Sequence, residues 1–225
     1  MKILVVGCDA YAKLAPRFME HFHKAWKSCP YDVEFVADSQ ELDVDVPVIY
    51  THRGTLDYGG KLHDYLVQCS DDLVLILMID FVLAYVDEDT VAQAEKIAQK
   101  SSVGRVQLSR PGNSLCGGAV YENDDHFRII PCEDKYALST HVGIWERDLL
   151  LRFVKPGENP GQTEITGTAR MQQGKCGGKT LLASHLPAIY VVNTHRFGVE
   201  RFEGEVLDTC IQGVYSLAKE HRELG

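Results

Sequence analysis

The stretch LVLILMIDF, residues 73–81, contains the longest uninterrupted apolar run of the chain. All seven residues from Leu73 to Ile79 are apolar, which indicates a strand covered on both faces. Such a strand is typical of the centre of a parallel sheet in an α/β protein. Asp80 follows at once, so we expect its carboxylate at the carboxyl end of a buried central strand. In open α/β sheets, ligands bind at this edge.

Strand and helix patterns alternate on both sides of this run. Short apolar runs rich in β-branched residues predict strands at 3–6, 33–37 and 46–50. Apolar residues at helical spacing predict helices at 15–27, 61–69 and 89–100. This order predicts an α/β fold with an open, mostly parallel, twisted sheet flanked by helices.

The second half of the chain has a less regular pattern. It predicts a strand in VGRVQLS (103–109), a hairpin with strands at 119–121 and 127–130, a short helix from near Trp145, a last strand in AIYVVNT (188–194) and a closing helix at 204–222. The Gly-rich stretch TGTARMQQGKCGGKT (166–180) predicts a flexible loop, or a loop that closes over a ligand.

The composition is that of a soluble globular protein, with 45% of the 225 residues hydrophobic and 24% charged. The formal net charge of -9 implies repulsion, on average, from nucleic acid and anionic membranes. The run 73–79 is too short to span a membrane, and the start MKILVVGCDAY lacks the apolar core of a signal peptide. We therefore expect a cytoplasmic protein without a membrane span. Seven scattered cysteines without a CxxC pair predict reduced thiols rather than a disulfide framework or a zinc site.

Polar residues follow several of the predicted strands, and we expect them to meet at one edge of the sheet. They are Asp9, Tyr11 and Lys13 after the first strand, Thr51, His52 and Arg53 after the third, Asp80 after the buried run, and Asn193, Thr194 and His195 after the last. Lys13, Arg53 and Lys61 are candidates to hold a diphosphate. Asp80 and His195 are candidate ligands of a divalent cation that bridges it.

Glu164 lies between a Pro/Gly-rich loop and the Gly-rich stretch. A carboxylate delivered into a cleft from such a position could act as a general base, although a surface position is the alternative. Trp145 is interpreted as a core or pocket-wall aromatic residue, with stacking against a sugar as the alternative. Gly59 and Gly60 precede a helix without a GxGxxG or Walker pattern, and the chain contains no GxSxG elbow.

Three blocks of the sequence together resemble GT-A-type nucleotide-diphospho-sugar transferases, in particular small bacterial and phage glycosyltransferases. The blocks, which lie within residues 15–170, are PRFMEHFHKAWKSCPYDVEFVAD (16–38), DYGGKLHDYLVQCSDDLVLILMIDFVLAYVDEDTV (57–91) and STHVGIWERDLLLRFVKPGENPGQTEITGTAR (139–170). The resemblance implies one GT-A-like domain over 1–225, with a nucleotide-sugar-binding half at 1–110 and an acceptor-side half at 111–225.

The resemblance also implies roles for particular residues. Asp80 corresponds to the carboxylate on the metal or sugar side, and Glu164 to the acidic residue of the last block, which implies a catalytic pair. The nucleotide-sugar site would include Asp9, Tyr11, Arg53 and Lys61, and the acceptor site His141 and Trp145. The family's usual pair of acidic residues is here Ile79-Asp80, so dependence on Mn²⁺ or Mg²⁺ stays open.

Three functions fit these observations. The leading hypothesis is a glycosyltransferase that moves a sugar from a nucleotide sugar to a hydroxyl group of a saccharide or glycoconjugate. The second is a phage-type enzyme that glycosylates a hydroxymethylated DNA base, for which a basic stripe would be needed, with Arg105, Arg110, Arg128, Arg170, Lys175 and Lys179 as candidates. The third is a non-catalytic nucleotide-sugar-binding module.

Overall fold

The computed structural model describes residues 1–109, 118–194 and 205–223, and within them eleven strands and six α-helices. The strands are β1 (Lys2–Val6), β2 (Val33–Ala37), β3 (Val48–Tyr50), β4 (Leu73–Met78), β5 (Phe81–Val86), β6 (Val103–Gln107), β7 (Val120–Tyr121), β8 (Asp124–Ile130), β9 (Gly143–Glu146), β10 (Thr180–Ser184) and β11 (Ile189–Asn193). The helices are α1 (Ala15–Ala25), α2 (Tyr58–Gln68), α3 (Glu88–Ala98), α4 (Arg147–Phe153), α5 (Pro160–Gln173) and α6 (Glu205–Glu223).

Nine strands form one sheet in the order β3-β2-β1-β4-β9-β6-β10-β8-β7. The first four of these are parallel, which confirms the predicted parallel core flanked by helices. The rest of the sheet is mixed, because β9 runs antiparallel between β4 and β6, and β8 runs antiparallel to β10. Strands β5 and β11 form a separate antiparallel pair.

Strand β4 is buried on both faces, as its composition predicts. Leu75 and Leu77 pack in a hydrophobic cluster with the aromatic residues of α1, including Phe18. Val74 and Ile76 point the other way and pack in a second cluster with α2, including Leu66. Alternate residues of one strand therefore supply two separate cores, which is why the run contains no polar position.

Three strands were not predicted as such. The turn at Ile79-Asp80 is followed at once by β5, which pairs with β11. Strand β10 lies within the sheet, between β6 and β8. The helix predicted from near Trp145 begins at Arg147 instead, because 143–146 pair as β9 with strands on both sides.

The Gly-rich stretch also differs from the prediction of a flexible loop. Residues 166–173 continue α5, which begins with a capping box formed by Asn159 and Gln162. Lys175–Gly178 form a 3₁₀ turn that contains Cys176. Cys176 is joined to Cys132 by a disulfide, so the prediction that all thiols are reduced is wrong for this pair. Within the described ranges, no helix combines the length and the apolar character that a membrane span requires.

Candidate active site

A cleft of about 550 Å³ opens at the carboxyl ends of β1 and β4, where the strand order predicts a ligand site. This volume is within the usual range for a small-molecule site. The strand side contributes Tyr11, Asp80 and Asn193, and the helix side contributes Tyr58, Lys61 and Glu164. The two carboxylates expected to act together, Asp80 and Glu164, thus face one cleft.

Asp80 lies in the tight turn between β4 and β5, and its side chain is 4% exposed. Its backbone carbonyl accepts hydrogen bonds from the amide and the hydroxyl of Thr194, at 2.8 and 3.1 Å. These bonds tie the turn to the end of β11 and fix the direction in which Asp80 enters the cleft. The prediction that Asp80 ends a buried central strand is confirmed.

Lys61 reaches the cleft from the first turn of α2 and is almost completely buried. Its ammonium group donates to Asp38 Oδ1 at 2.6 Å and to the carbonyl of Gly7 at 3.0 Å. Asp38 accepts in turn from the amide of Asp9 at 3.1 Å. Among the described residues, Lys61 is the one cationic side chain that lines the cleft, and Asp38 balances its charge.

Glu164 lies in the second turn of α5, where it is held by the segment that precedes β9. Its Oε1 atom accepts three hydrogen bonds, from Ser139 Oγ at 3.1 Å, Thr140 N at 2.7 Å and Thr140 Oγ1 at 3.0 Å. No described residue donates to Oε2. The carboxylate is therefore anchored through one oxygen, while the other is available to a ligand.

Residues 137–140, the segment that holds Glu164, are in turn anchored by a buried arginine of β6. Arg105, which is 0% exposed on β6, donates to the carbonyl of Ala137 at 3.1 Å and to Gln107 Oε1 at 2.6 Å. Its guanidinium lies 4.7 Å from the centre of the Trp145 ring. Burial lowers the pKa of Arg105 to about 10, and the negative charge of Glu164 opposes this shift most strongly. Arg105 and Trp145 thus support the site without reaching it.

An aromatic pair lies in the same cleft. The rings of Phe81 and His141 stack at 5.5 Å with an interplanar angle of 24°. His141 lines the cleft beside Thr140, as expected for an acceptor-side residue, although its role stays a prediction. The pair contributes two stacked rings to the wall of the cleft that Asp80 and Glu164 also line.

Several residues with predicted roles do not reach the cleft. Asp9 turns towards the loop after β2, where it accepts hydrogen bonds from the Ser39 hydroxyl at 2.7 Å and the Gln40 amide at 2.9 Å. Arg53 forms a two-bond ion pair with Asp64 at the surface, at 2.7 and 2.8 Å. Lys13 is exposed and does not line the cleft.

Trp145 is also not part of the cleft, because β9 buries its side chain to 2% exposure in the core beneath it. The interpretation of Trp145 as a core aromatic residue is therefore confirmed, and the side chain does not take the acceptor-side place that the resemblance implies. His195, the predicted second metal ligand, lies outside the described residues. In the described part of the chain, no three His, Cys, Asp or Glu side chains form a metal-binding group.

Most described candidates for the basic stripe that a DNA acceptor would require have partners within the protein, whereas Lys175 is exposed at the turn after α5. Arg105 is buried, Arg170 pairs with Glu158, and Lys179 pairs with Glu146. Arg128 donates to backbone carbonyls of its own hairpin, and Arg110 lies outside the described residues.

Two cleft-side residues were not predicted from the sequence. Asp38 directly follows β2, so the strand-end rule applied to the other strands would have found it. Tyr58 begins α2, and no sequence pattern distinguishes it from an ordinary core aromatic residue. Gly59 has a packing role, because a Cβ atom there would lie 2.1 Å from the carbonyl oxygen of Lys155.

No protein-family model and no curated protein matches the sequence. Solved structures do match the fold. S. aureus TarS (residues 1–349) in complex with UDP-GlcNAc aligns with a TM-score of 0.54 at 15% identity, over 84% of this chain and 57% of that chain. The mannosyltransferase PcManGT from Pyrobaculum calidifontis, in complex with GDP-Man and Mn²⁺, aligns with a TM-score of 0.52 at 16% identity, over 83% and 56%.

Nucleotidyltransferases share this fold as well. CMP:2-keto-3-deoxy-manno-octonic acid synthetase in complex with CTP aligns with a TM-score of 0.54 at 13% identity, over 98% of this chain and 100% of that chain. This chain spans little more than half the length of the two sugar transferases. Identities this low show the fold alone, and on that basis the chain has the GT-A-type fold of the nucleotide-diphospho-sugar transferases.

Proposed function

We propose that this protein is a glycosyltransferase that moves a sugar from a nucleotide sugar to a hydroxyl group of a saccharide or glycoconjugate. The observation that carries the proposal is the position of Glu164, anchored through Oε1 at the cleft that Asp80 also lines. A fixed carboxylate whose second oxygen receives no hydrogen bond from the described residues is suited to accept a proton from an attacking hydroxyl group.

The charge of the cleft favours glycosyl transfer over nucleotidyl transfer, which the same fold supports in other proteins. A nucleotidyltransferase must bind a nucleoside triphosphate, which carries more negative charge than the diphosphate of a nucleotide sugar. The described lining offers a single cation, Lys61, which Asp38 already balances, and two carboxylates. Such a lining is poorly matched to a triphosphate.

In the proposed reaction, an acceptor hydroxyl oxygen forms a bond to the anomeric carbon as the bond from that carbon to the diphosphate breaks. Glu164 takes the hydroxyl proton, so charge does not build up on the attacking oxygen. The nucleoside diphosphate leaves with the bonding electron pair. The pair Phe81–His141 would orient the acceptor or the sugar beside these groups.

The diphosphate would lie towards Lys61 and Tyr11, in the half of the cleft formed by 1–110. Asp80 fits a divalent cation of the Mg²⁺ or Mn²⁺ type, which often binds through one or two carboxylates together with substrate phosphates. A bound cation would supply Lewis-acid stabilisation of the leaving diphosphate. Asp80 would then bind the cation that neutralises the diphosphate. Glu164 would act as the base for the acceptor hydroxyl group in the half formed by 111–225.

A thermal-shift screen of nucleotide sugars, with and without Mn²⁺ or Mg²⁺, tests the binding step. We expect one nucleotide sugar to raise the melting temperature of the wild-type protein, and Asp80→Asn to abolish that shift. Asp43→Asn, a change at an exposed residue, is the matched control and should leave it unchanged. If no nucleotide sugar shifts the wild-type protein, the proposed function is wrong.

Turnover with the bound nucleotide sugar tests the catalytic step and separates the enzyme from a binding module. Glu164→Gln keeps the shape and the acceptor atom for Ser139 and Thr140 but removes the base. We expect transfer to fall by about a hundredfold or more while nucleotide-sugar affinity stays within about twofold. Equal transfer by wild type and Glu164→Gln would exclude Glu164 as the base.

A further inference from the structure

Tyr58 is a buried cleft residue to which the mechanism above gives no role. It is the first residue of α2, and its ring packs in the hydrophobic cluster beneath the cleft, beside Leu62 and Leu138. Its side chain lines the cleft and is 5% exposed. The ring is therefore held firmly in one place, which fixes the position of its hydroxyl group.

The Tyr58 hydroxyl has no hydrogen-bond partner among the described residues. Tyr58 lines the cleft, which places a ligand bound there within reach of this residue. A buried hydroxyl without a partner is costly, and water or a ligand must satisfy it. A rigid, unsatisfied donor at a cleft wall is the kind of group that recognises a substrate.

The charges that act on this hydroxyl come from both catalytic candidates. Burial raises the pKa of Tyr58 well above its usual range, and the carboxylates of Glu164 and Asp80 raise it further. The hydroxyl therefore keeps its proton at neutral pH and can donate a hydrogen bond. Tyr58, Glu164 and Asp80 also line the same cleft.

Tyr58, Asp80 and Glu164 line one corner of the cleft, and their chemistry identifies the group that Tyr58 would bind there. A phosphate or a carboxylate would accept from the hydroxyl, but Glu164 would repel it, and so would Asp80 wherever no cation neutralises its charge. A sugar hydroxyl group fits all three residues, because its oxygen accepts from Tyr58 while hydroxyl protons are donated to the carboxylates. An uncharged, polyhydroxylated ring is therefore the matching ligand.

We propose that Tyr58 is a substrate-binding residue whose hydroxyl donates a hydrogen bond to a hydroxyl oxygen of the transferred sugar, and that this corner selects uncharged sugars. The proposal rests on the proposed function, since it assigns the sugar of a nucleotide sugar to this part of the cleft. It adds a specificity: the site takes neutral hexoses or pentoses and rejects sugars that carry a carboxylate.

The test compares Tyr58→Phe with wild type in calorimetric titrations. The probes are UDP, GDP, ADP and dTDP, and the glucose and glucuronic acid esters of each. For the nucleotide that binds, we expect Tyr58→Phe to keep the wild-type affinity for the free nucleoside diphosphate and to lose about three- to tenfold for the glucose ester. Wild type should bind the glucose ester at least about tenfold more tightly than the glucuronic acid ester.

Tyr65→Phe is the matched control. Tyr65 lies two turns further along α2 and is equally buried, but its hydroxyl donates to Glu34 Oε2 at 2.8 Å and does not reach the cleft. Tyr65→Phe should therefore leave the affinities for the nucleoside diphosphate and for its glucose ester unchanged. The inference about Tyr58 is overturned if Tyr58→Phe weakens the free diphosphate and its ester equally, if it weakens neither, or if the glucuronic acid ester binds as tightly as the glucose ester. Failure of every ester to bind wild type overturns this inference, whereas the proposed function is overturned only if no nucleotide sugar of the thermal-shift screen binds.

Discussion

Lys61 and Asp38 form an ion pair inside the protein, with 2.6 Å between Nζ and Oδ1 and each side chain only 1% exposed. The pair joins the first turn of α2 to the end of β2, and the bond from Lys61 to Gly7 joins both to the end of β1. It therefore holds together three elements that form one wall of the cleft. Charges buried this deeply are tolerated only as a pair, because a single one has lost its water without compensation.

Removing one member of this pair should destabilise the fold strongly. We expect Lys61→Met to lower the free energy of unfolding by about 3–5 kcal/mol, because Asp38 is left as an unpaired buried charge. Adding Asp38→Asn should recover part of the loss. Urea denaturation measures both. Arg53→Met, which breaks the solvent-screened surface pair with Asp64, should destabilise the protein far less, and an equally small effect of Lys61→Met would contradict the prediction.

The parallel core of the fold could be predicted from local patterns. The run 73–79 has the length and composition typical of a strand covered on both faces, and its neighbours carry clear strand or helix periodicity. The mixed half could not be predicted in this way. Strand β9 has four residues, and its place between β4 and β6 depends on pairing with strands far apart in the sequence. Local periodicity contains no information about such pairing.

The residues of the site could also be predicted only in part, because side-chain contacts depend on tertiary structure. Asp80 faces the cleft because the end of a parallel strand determines its location, and Glu164 faces it from α5. Asp9 and Arg53 also follow strands, but their side chains turn to local partners, Ser39 and Asp64. The position of a residue after a strand gives its location but not the direction of its side chain, which tertiary contacts decide.

Arg105 should affect turnover more than binding. It holds the carbonyl of Ala137 at the start of the segment that anchors Glu164, and it does not line the cleft. We expect Arg105→Met to lower kcat by about tenfold or more, because small displacements of a catalytic group are costly. Affinity for the nucleoside diphosphate should stay unchanged, since Lys61 and Asp80 are not disturbed.

Two further variants make this test specific. Arg105→Lys keeps the charge but cannot reach both acceptors, so its kcat should lie between those of wild type and Arg105→Met. Arg152→Met removes an exposed arginine and should leave kcat unchanged. Parallel losses of kcat and nucleotide affinity in Arg105→Met would show general damage to the fold and contradict a specific role in positioning Glu164.

The disulfide between Cys132 and Cys176 should contribute to stability by restricting the unfolded chain. It closes a loop with a sequence separation of 44 residues, for which loop entropy gives about 3–4 kcal/mol. We expect the double variant Cys132→Ser/Cys176→Ser to lose most of this amount in urea denaturation. Dithiothreitol should destabilise wild type and leave the double variant unaffected. Equal sensitivity of the two proteins to dithiothreitol would contradict the pairing.

Low pH should destabilise the protein at the start of α5, because Glu158 there loses its negative charge on protonation. Both carboxylate oxygens of Glu158 accept from Arg170, each at 2.7 Å, and Oε1 also accepts from Thr166 at 2.6 Å. Burial alone would raise the pKa of Glu158, but these bonds outweigh it and hold the pKa below its usual value. A lowered carboxyl pKa means that the folded state binds the proton less readily than the unfolded state. The resulting stability is present above the ordinary pKa of glutamate and is lost as the pH falls through the lowered pKa.

Glu158→Gln tests this linkage directly. At about pH 7, we expect it to lower the free energy of unfolding by about 2 kcal/mol, because the charge-assisted bonds to Arg170 are lost. As the pH falls below the ordinary pKa of glutamate, the difference from wild type should shrink, and it should vanish once the pH has passed through the lowered pKa of Glu158 in the folded protein. Urea denaturation across this pH range measures the difference, with Glu41→Gln at an exposed position as the control. A difference that stays constant with pH would mean that packing, and not ionisation of Glu158, stabilises the start of α5.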